Sequence, residues 1–178
     1  MRIVKTDFND LILIENFNAS DSRGTFVKTY NQDFFLENKI QFKIKESFLS
    51  INSKNVIRGM HFQKPPFDHS KLVFVSRGSI IDVVVDLRKK SPTFLKTYNV
   101  KLSSENNFGI FIPKGFAHGF KSLKNDTQVN YFVDSVYNKD YDTGILYSSV
   151  CYDWNIIKPI ISKRDLTFEA LKKFNSPF

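Results

Sequence analysis

Between residues 44 and 136 the apolar residues fall in short runs rather than helical stripes. The runs read "FLSIN", "NVIRGMHF", "SKLVFVSRG", "SIIDVVVDLR", "TYNVKLS", "NFGIFIP" and "QVNYFVDSVY". β-Branched and aromatic residues fill them, and Gly, Pro, Asn or Ser closes them, which is the chemistry of strands. "DLILIENF" near the start reads the same way. Many short strands at such spacing predict an all-β sandwich or barrel. In "SIIDVVVDLR" the period of two places Asp82 and Asp86 on one face. "DSRGTF", residues 21–26, is turn chemistry, and "NQDFFLENKI" predicts a short helix. In the tail "RDLTFEALKKF", Leu166, Phe168, Leu171 and Phe174 share one helical face, predicting a C-terminal amphipathic helix that "SKRD" would cap. No repeat or linker divides the chain, so residues 1–178 are expected to form a single domain.

Composition sharpens this picture in three respects. The 178 residues suffice for one continuous core. The net charge of +8 raises nucleic acid as a partner, yet the lysines are scattered and the longest basic run is "RKK" at 88–90. That pattern is a solvated surface, with no nucleic-acid partner, and it also suits a small anionic ligand such as a sugar nucleotide. Cys151 stands alone, so no internal disulfide forms. "MRIVKTDFND" is too charged for a signal peptide and no apolar run approaches the ~18 residues of a membrane span. A cytoplasmic protein without membrane contact is expected.

Only three histidines are available for chemistry. His61 lies in "RGMHFQ", and two ligands on one strand face must stand two residues apart. That position is Gln63, a poor ligand, and His69 lies in the proline-containing "QKPPFDHS", so no metal is expected. A buried hydrogen-bonded histidine and a base both remain open from the residues alone.

Four longer motifs, "RGMHFQKPPFDHSKLV", "DVVVDLRKKSPTF", "IPKGFAHGF" and "YFVDSVYNKDYDTGI", follow "DSRGTF" in one order. Together they resemble the dTDP-4-dehydrorhamnose 3,5-epimerase family over residues 4–165. The resemblance implies a cupin-type double-stranded β-helix (jelly-roll) barrel with a few short helices. It implies an isomerase that needs no cofactor and no metal, since a 4-keto group already acidifies carbons 3 and 5 of a hexose. Epimerisation then requires a base, an acid on the other face and a cation near the enolate oxygen. By this resemblance His61 is the base and Asp165 the carboxylate that orients it. Lys71 stabilises the enolate, Asp82 holds that lysine, and Tyr131 is the acid, its pKa lowered by Lys71 or another cation. Arg23, Arg58, Gln63, His118 and Tyr137 are the expected substrate contacts, Arg23 reaching into a partner's site in a homodimer. His69 has no counterpart and is expected at the surface.

The sequence departs from the family where nucleotide and sugar would lie. Lys28 replaces a glutamate, Glu46 and Phe48 replace a glutamine and an asparagine, Phe74 replaces an arginine, and Phe132 replaces a lysine. Such exchanges remake hydrogen bonding. They favour a different nucleoside-diphosphate 4-keto-6-deoxy sugar, such as a GDP-linked hexose or heptose, in capsule or lipopolysaccharide synthesis. The alternatives are a 3,4-ketoisomerase on the same substrate class, or a non-catalytic barrel that binds a sugar nucleotide or nucleic acid.

Overall fold

The computed structural model describes residues 1–178. Its strands are β1 (Arg2–Lys5), β2 (Ile12–Glu15), β3 (Phe17–Asp21), β4 (Gly24–Lys28), β5 (Glu46–Asn52), β6 (Ile57–Gln63) and β7 (Lys71–Arg77). They continue with β8 (Ser79–Asp86), β9 (Thr97–Ser103), β10 (Phe108–Ile112), β11 (Phe116–Ser122), β12 (Thr127–Val133) and β13 (Asp142–Gly144). A larger sheet runs β1-β2-β10-β7-β12-β5 and a smaller one β13-β6-β11-β8-β9. From β5 onward the chain passes between the two sheets at almost every step, which is the jelly-roll barrel expected. β3 and β4 form a separate hairpin, turning at the predicted residues 22–23.

Alternation along each strand builds the barrel's contents. Ile80 and Val84 of β8 meet Val73, Val75, Ile110, Val129 and Tyr131 between the sheets. The intervening Val83 and Val85 face outward onto Met60, Phe62, Trp154 and Leu171. Both faces of the smaller sheet are therefore covered, which accounts for the nearly unbroken apolar run of β8. Asp82 and Asp86 are both fully buried on the inward side. Asp86 is structural, because its carboxylate accepts from Arg88 Nε at 2.9 Å, Ser91 Oγ at 2.6 Å and Thr93 Oγ1 at 2.7 Å.

The predicted first helix is α1 (Gln32–Glu37), capped by Asn31, whose side chain accepts from Phe34 N–H at 2.8 Å. Its Phe35 is buried against Phe42 and Phe111, so α1 covers the outer face of the larger sheet.

The C-terminal helix does not form. Residues 165–174 fold instead as two 3₁₀ turns, Asp165–Thr167 and Leu171–Lys173, with extended backbone at Phe168 and Ala170. The Glu169 carbonyl accepts from Leu146 N–H at 2.9 Å, and Ser149 Oγ accepts from Leu171 N–H at 2.8 Å. A helix of this length has little stability of its own, so docking onto the smaller sheet decides the conformation. Leu171 is buried there while Leu166 is left exposed.

Candidate active site

The barrel opens into a pocket of about 310 Å³. Its walls carry Arg58, His61, Gln63 and His118 from the smaller sheet and Glu46, Phe48, Ser50, Lys71 and Tyr131 from the larger one. Arg58 and His61 lie three apart on β6, a spacing that should put them on opposite faces. The register shift between His118 and Phe120 on β11 inserts one extra residue in β6, so both side chains point inward. Gly59 is the inserted residue, at φ +129°. A Cβ there would stand 2.5 Å from Gly119 Cα, so the close approach admits only glycine.

His61 Nε2 hydrogen-bonds Asp165 Oδ1 at 2.9 Å. The other carboxylate oxygen accepts from Gly59 N–H at 3.1 Å, so one aspartate fixes both the bulge and the imidazole. Asp165 does not cap its own turn; Ser162 Oγ accepts its N–H at 3.0 Å. Burial opposes ionisation of Asp165, but hydrogen bonds from His61, Gly59 and Ser162 outweigh it and leave the pKa below the ordinary carboxylate value. An anionic carboxylate at Nε2 keeps the proton there and leaves Nδ1 as the basic nitrogen. Phe168 packs edge-on against the imidazole at 5.7 Å.

Lys71 is buried, and its ammonium donates to the His61 carbonyl at 3.4 Å. Burial pulls its pKa down to about 8, with the charges of Asp142 and Asp82 resisting the fall. Asp82 does not hold Lys71, as expected from the sequence, but accepts from His118 Nε2 at 2.7 Å. The second oxygen of Asp82 has no protein partner. Tyr131 is buried, and Phe48 stacks on its ring at 4.7 Å. Its pKa is raised, not lowered: burial dominates and the Asp82 charge adds, while Ser50 and Arg58 oppose them. The hydroxyl therefore holds its proton throughout the physiological range.

The chain as a whole has close counterparts among known proteins. The dTDP-4-dehydrorhamnose 3,5-epimerase family profile matches residues 5–173. The enzyme of that name from Methanothermobacter thermautotrophicus is 38% identical over 97% of this chain and 95% of its own. That from Shigella flexneri is 37% identical over 93% of each. The crystal structure of the Bacillus anthracis epimerase with TDP and PPi bound superposes with a TM-score of 0.92 at 37% identity, covering 96% of this chain and 99% of that one. The chain belongs to the dTDP-4-dehydrorhamnose 3,5-epimerase family.

Set against the family pattern, most candidate residues converge on the one pocket, while Gln63 and His69 differ from what the sequence led us to expect. Arg23 sits at the tip of the β3–β4 hairpin, outside this pocket, paired only with Asp21 at 2.5 Å. Gln63 lines the pocket, but its amide is taken up by protein groups, among them Phe67 O at 2.8 Å. His69 is no surface residue; it lines the pocket, and burial holds its pKa at about 3. Of the altered family positions, Glu46 and Phe48 line the pocket, whereas Phe74 and Phe132 pair at 5.5 Å on the opposite side of their sheet. Sequence reasoning missed Ser50, Asp142 and Arg164. Asp142 and Arg164 form an ion pair of 2.7 Å at the rim. The strand β13 that carries Asp142 is three residues long and polar, too short to register as a pattern.

Proposed function

We propose that this family member inverts carbon 3, carbon 5 or both of a nucleoside-diphosphate 4-keto-6-deoxy sugar. The observation that carries the reading is that His61, braced by Asp165, and the buried Tyr131 stand on facing sheets of one pocket. His61 Nδ1 takes the proton from the carbon beside the ketone. The electron pair moves onto the ketone oxygen, where the Lys71 ammonium stabilises the enolate. Tyr131 returns a proton to the opposite face, and exchange with solvent resets both groups. Arg58, its Nε anchored on Asn52 Oδ1 at 2.8 Å, presents its remaining N–H groups to the diphosphate.

The Legionella pneumophila relative, 31% identical to this chain, was solved with dTDP-4-keto-L-rhamnose. A sugar nucleotide of that class fits the reading here, with Glu46 and Phe48 altering the detail it must satisfy. Arg23 on its exposed hairpin, flanked by exposed Phe17 and Phe26, supports a homodimer in which it completes the partner's pocket. The reaction then serves cytoplasmic synthesis of capsule or lipopolysaccharide sugars.

The test is solvent exchange. Incubation with dTDP- and GDP-linked 4-keto-6-deoxy sugars in heavy water should place deuterium at carbon 3, carbon 5 or both, with inverted product. A panel in which no sugar acquires carbon-bound label would refute the assignment.

A further inference from the structure

Gln63 stands two residues beyond His61 on β6, and every hydrogen-bonding group of its amide is engaged with protein. Nε2 donates to Phe67 O at 2.8 Å and Val136 O at 3.2 Å, and His69 Nδ1 lies 3.0 Å away, close enough to share one of its two N–H groups. Oε1 accepts from Asn138 N–H at 2.6 Å. From the other sheet, Glu46 Oε2 accepts Tyr137 N–H at 2.9 Å. Three successive residues, 136 to 138, are thus gripped through their backbone by side chains from both sheets. No backbone–backbone hydrogen bond involves residues 135–137, so these side chains supply the ties that strand pairing does not. At the start of the segment, Asp134 Oδ1 accepts Ser70 N–H at 2.7 Å. Tyr137, which the segment carries, lines the pocket and is 61% exposed.

We propose that Gln63 and Glu46 are positioning residues that clasp the 136–138 segment across the pocket mouth and set Tyr137 against the bound nucleotide sugar. The inference rests on the epimerase reading above for the identity of that ligand. It does not make Gln63 a substrate contact: the amide acts through the segment. The clasp is built to ignore pH. His69 Nδ1 must stay unprotonated to share an N–H of Gln63, and burial, reinforced by the positive charges of Lys71 and Lys114 and only partly opposed by a hydrogen bond to the Phe67 backbone, holds its pKa at about 3. The one carboxylate in the same turn, Asp68, is paired with Lys114 at 3.8 Å.

Exchanging Gln63 for glutamate turns that neutral clasp into a titrating one. A carboxylate cannot donate to Phe67 O, Val136 O or His69 Nδ1. A proton shared between Glu and His69 restores part of the grip at low pH and is lost as pH rises. Gln63→Glu should therefore show a KM that climbs with pH by about tenfold relative to the parent, the scale of one or two lost hydrogen bonds, with kcat largely retained. Glu46→Ala should raise KM at all pH values, and Glu46→Gln, which keeps an acceptor oxygen, should restore it.

Amide hydrogen exchange reads the clasp without any substrate. In the full-length protein, Glu46→Ala should speed exchange at Tyr137 and Gln63→Leu, which removes the acceptor oxygen, should speed it at Asn138, while the amides of β12 keep parental rates. Parental exchange at both positions would overturn the clasp. Faster exchange with no change in KM would overturn its role in seating the ligand. A parent that processes no 4-keto nucleotide sugar would instead refute the epimerase reading and Tyr137's part in it, and the exchange rates would still decide the clasp.

Discussion

His61 and His118 are cross-strand partners on β6 and β11, and each bonds through Nε2 to a different carboxylate. The two imidazoles on one wall are thereby given different characters. The His118 side chain is 4% exposed against 30% for His61. Burial lowers the pKa of His118 despite the opposing charge of Asp82, and Lys71 and His61 push it the same way. His118 is a neutral hydrogen bonder, whereas His61 is the imidazole with access to a substrate.

His61→Asn should fold like the parent and lose carbon-bound deuterium exchange by roughly 10²–10⁴-fold, the usual contribution of a positioned base. Asp165→Asn should lose much of the same rate, because an amide no longer demands that the His61 proton reside on Nε2. It should also weaken the grip on Gly59 N–H and so soften the bulge. Exchange at the parental rate in His61→Asn would transfer the role of base to another group.

The pH dependence should reflect Lys71. Its pKa of about 8 lies below the ordinary lysine value, so the ammonium is present below that pH and lost above it. If the charge stabilises the enolate, kcat/KM falls as pH rises through about 8. The limb for kcat lies higher, because a bound diphosphate favours the cation. Lys71→Arg, whose guanidinium does not titrate in this range, should abolish that basic limb even where the maximal rate drops. A limb that stays near 8 in Lys71→Arg assigns it elsewhere.

Asp82 and Asp86 share one strand face but should fail differently. Removing Asp86 strips Arg88, Ser91 and Thr93 of a buried acceptor, and Asp86→Ala should cost about 3 kcal/mol in urea unfolding. Substrate KM at low temperature should hardly move. Asp82→Asn retains an acceptor oxygen for His118 and should change stability by no more than about 1 kcal/mol. Its turnover should fall, through the loss of the charge beside Lys71 and Tyr131. Equal stability losses would mean that both carboxylates are structural.

The barrel strands were legible because each carries its own apolar alternation and its own turn residues. β8 declared itself through "SIIDVVVD", and α1 through the asparagine that caps it. β11 was harder, since the glycine and histidine of "FAHGFKS" weaken a strand pattern, and the meaning of Gly119 lies in Gly59 on the neighbouring strand. The C-terminal tail misled because its helical spacing is real while its packing partners lie on another sheet. Within the site, residue types could be read from the ordered motifs, but pairings could not. Nothing local in the sequence says that Asp82 accepts from His118 rather than from Lys71, or that Gln63 serves residues 136–138.

Tyr131→Phe separates exchange from inversion. His61 alone can remove a proton and return it to the same face, which introduces label without changing configuration. Inversion needs a donor across the ring, the role we propose for the buried, protonated Tyr131 hydroxyl. The phenyl ring of the variant preserves the stack on Phe48 and the contact with His118, so the fold should be retained. Deuterium should still enter the substrate at a rate set by His61, while inverted product falls by roughly 10²–10⁴-fold. Because burial raises the tyrosine pKa, the parent's inversion should show no acidic group titrating from Tyr131 near neutrality. The loss in the variant should therefore be uniform across pH 6 to about 9, the range over which a raised phenol stays protonated. If Tyr131→Phe inverts as fast as the parent, the proton comes from another residue. Tyr137, exposed at the pocket mouth, is the first to replace.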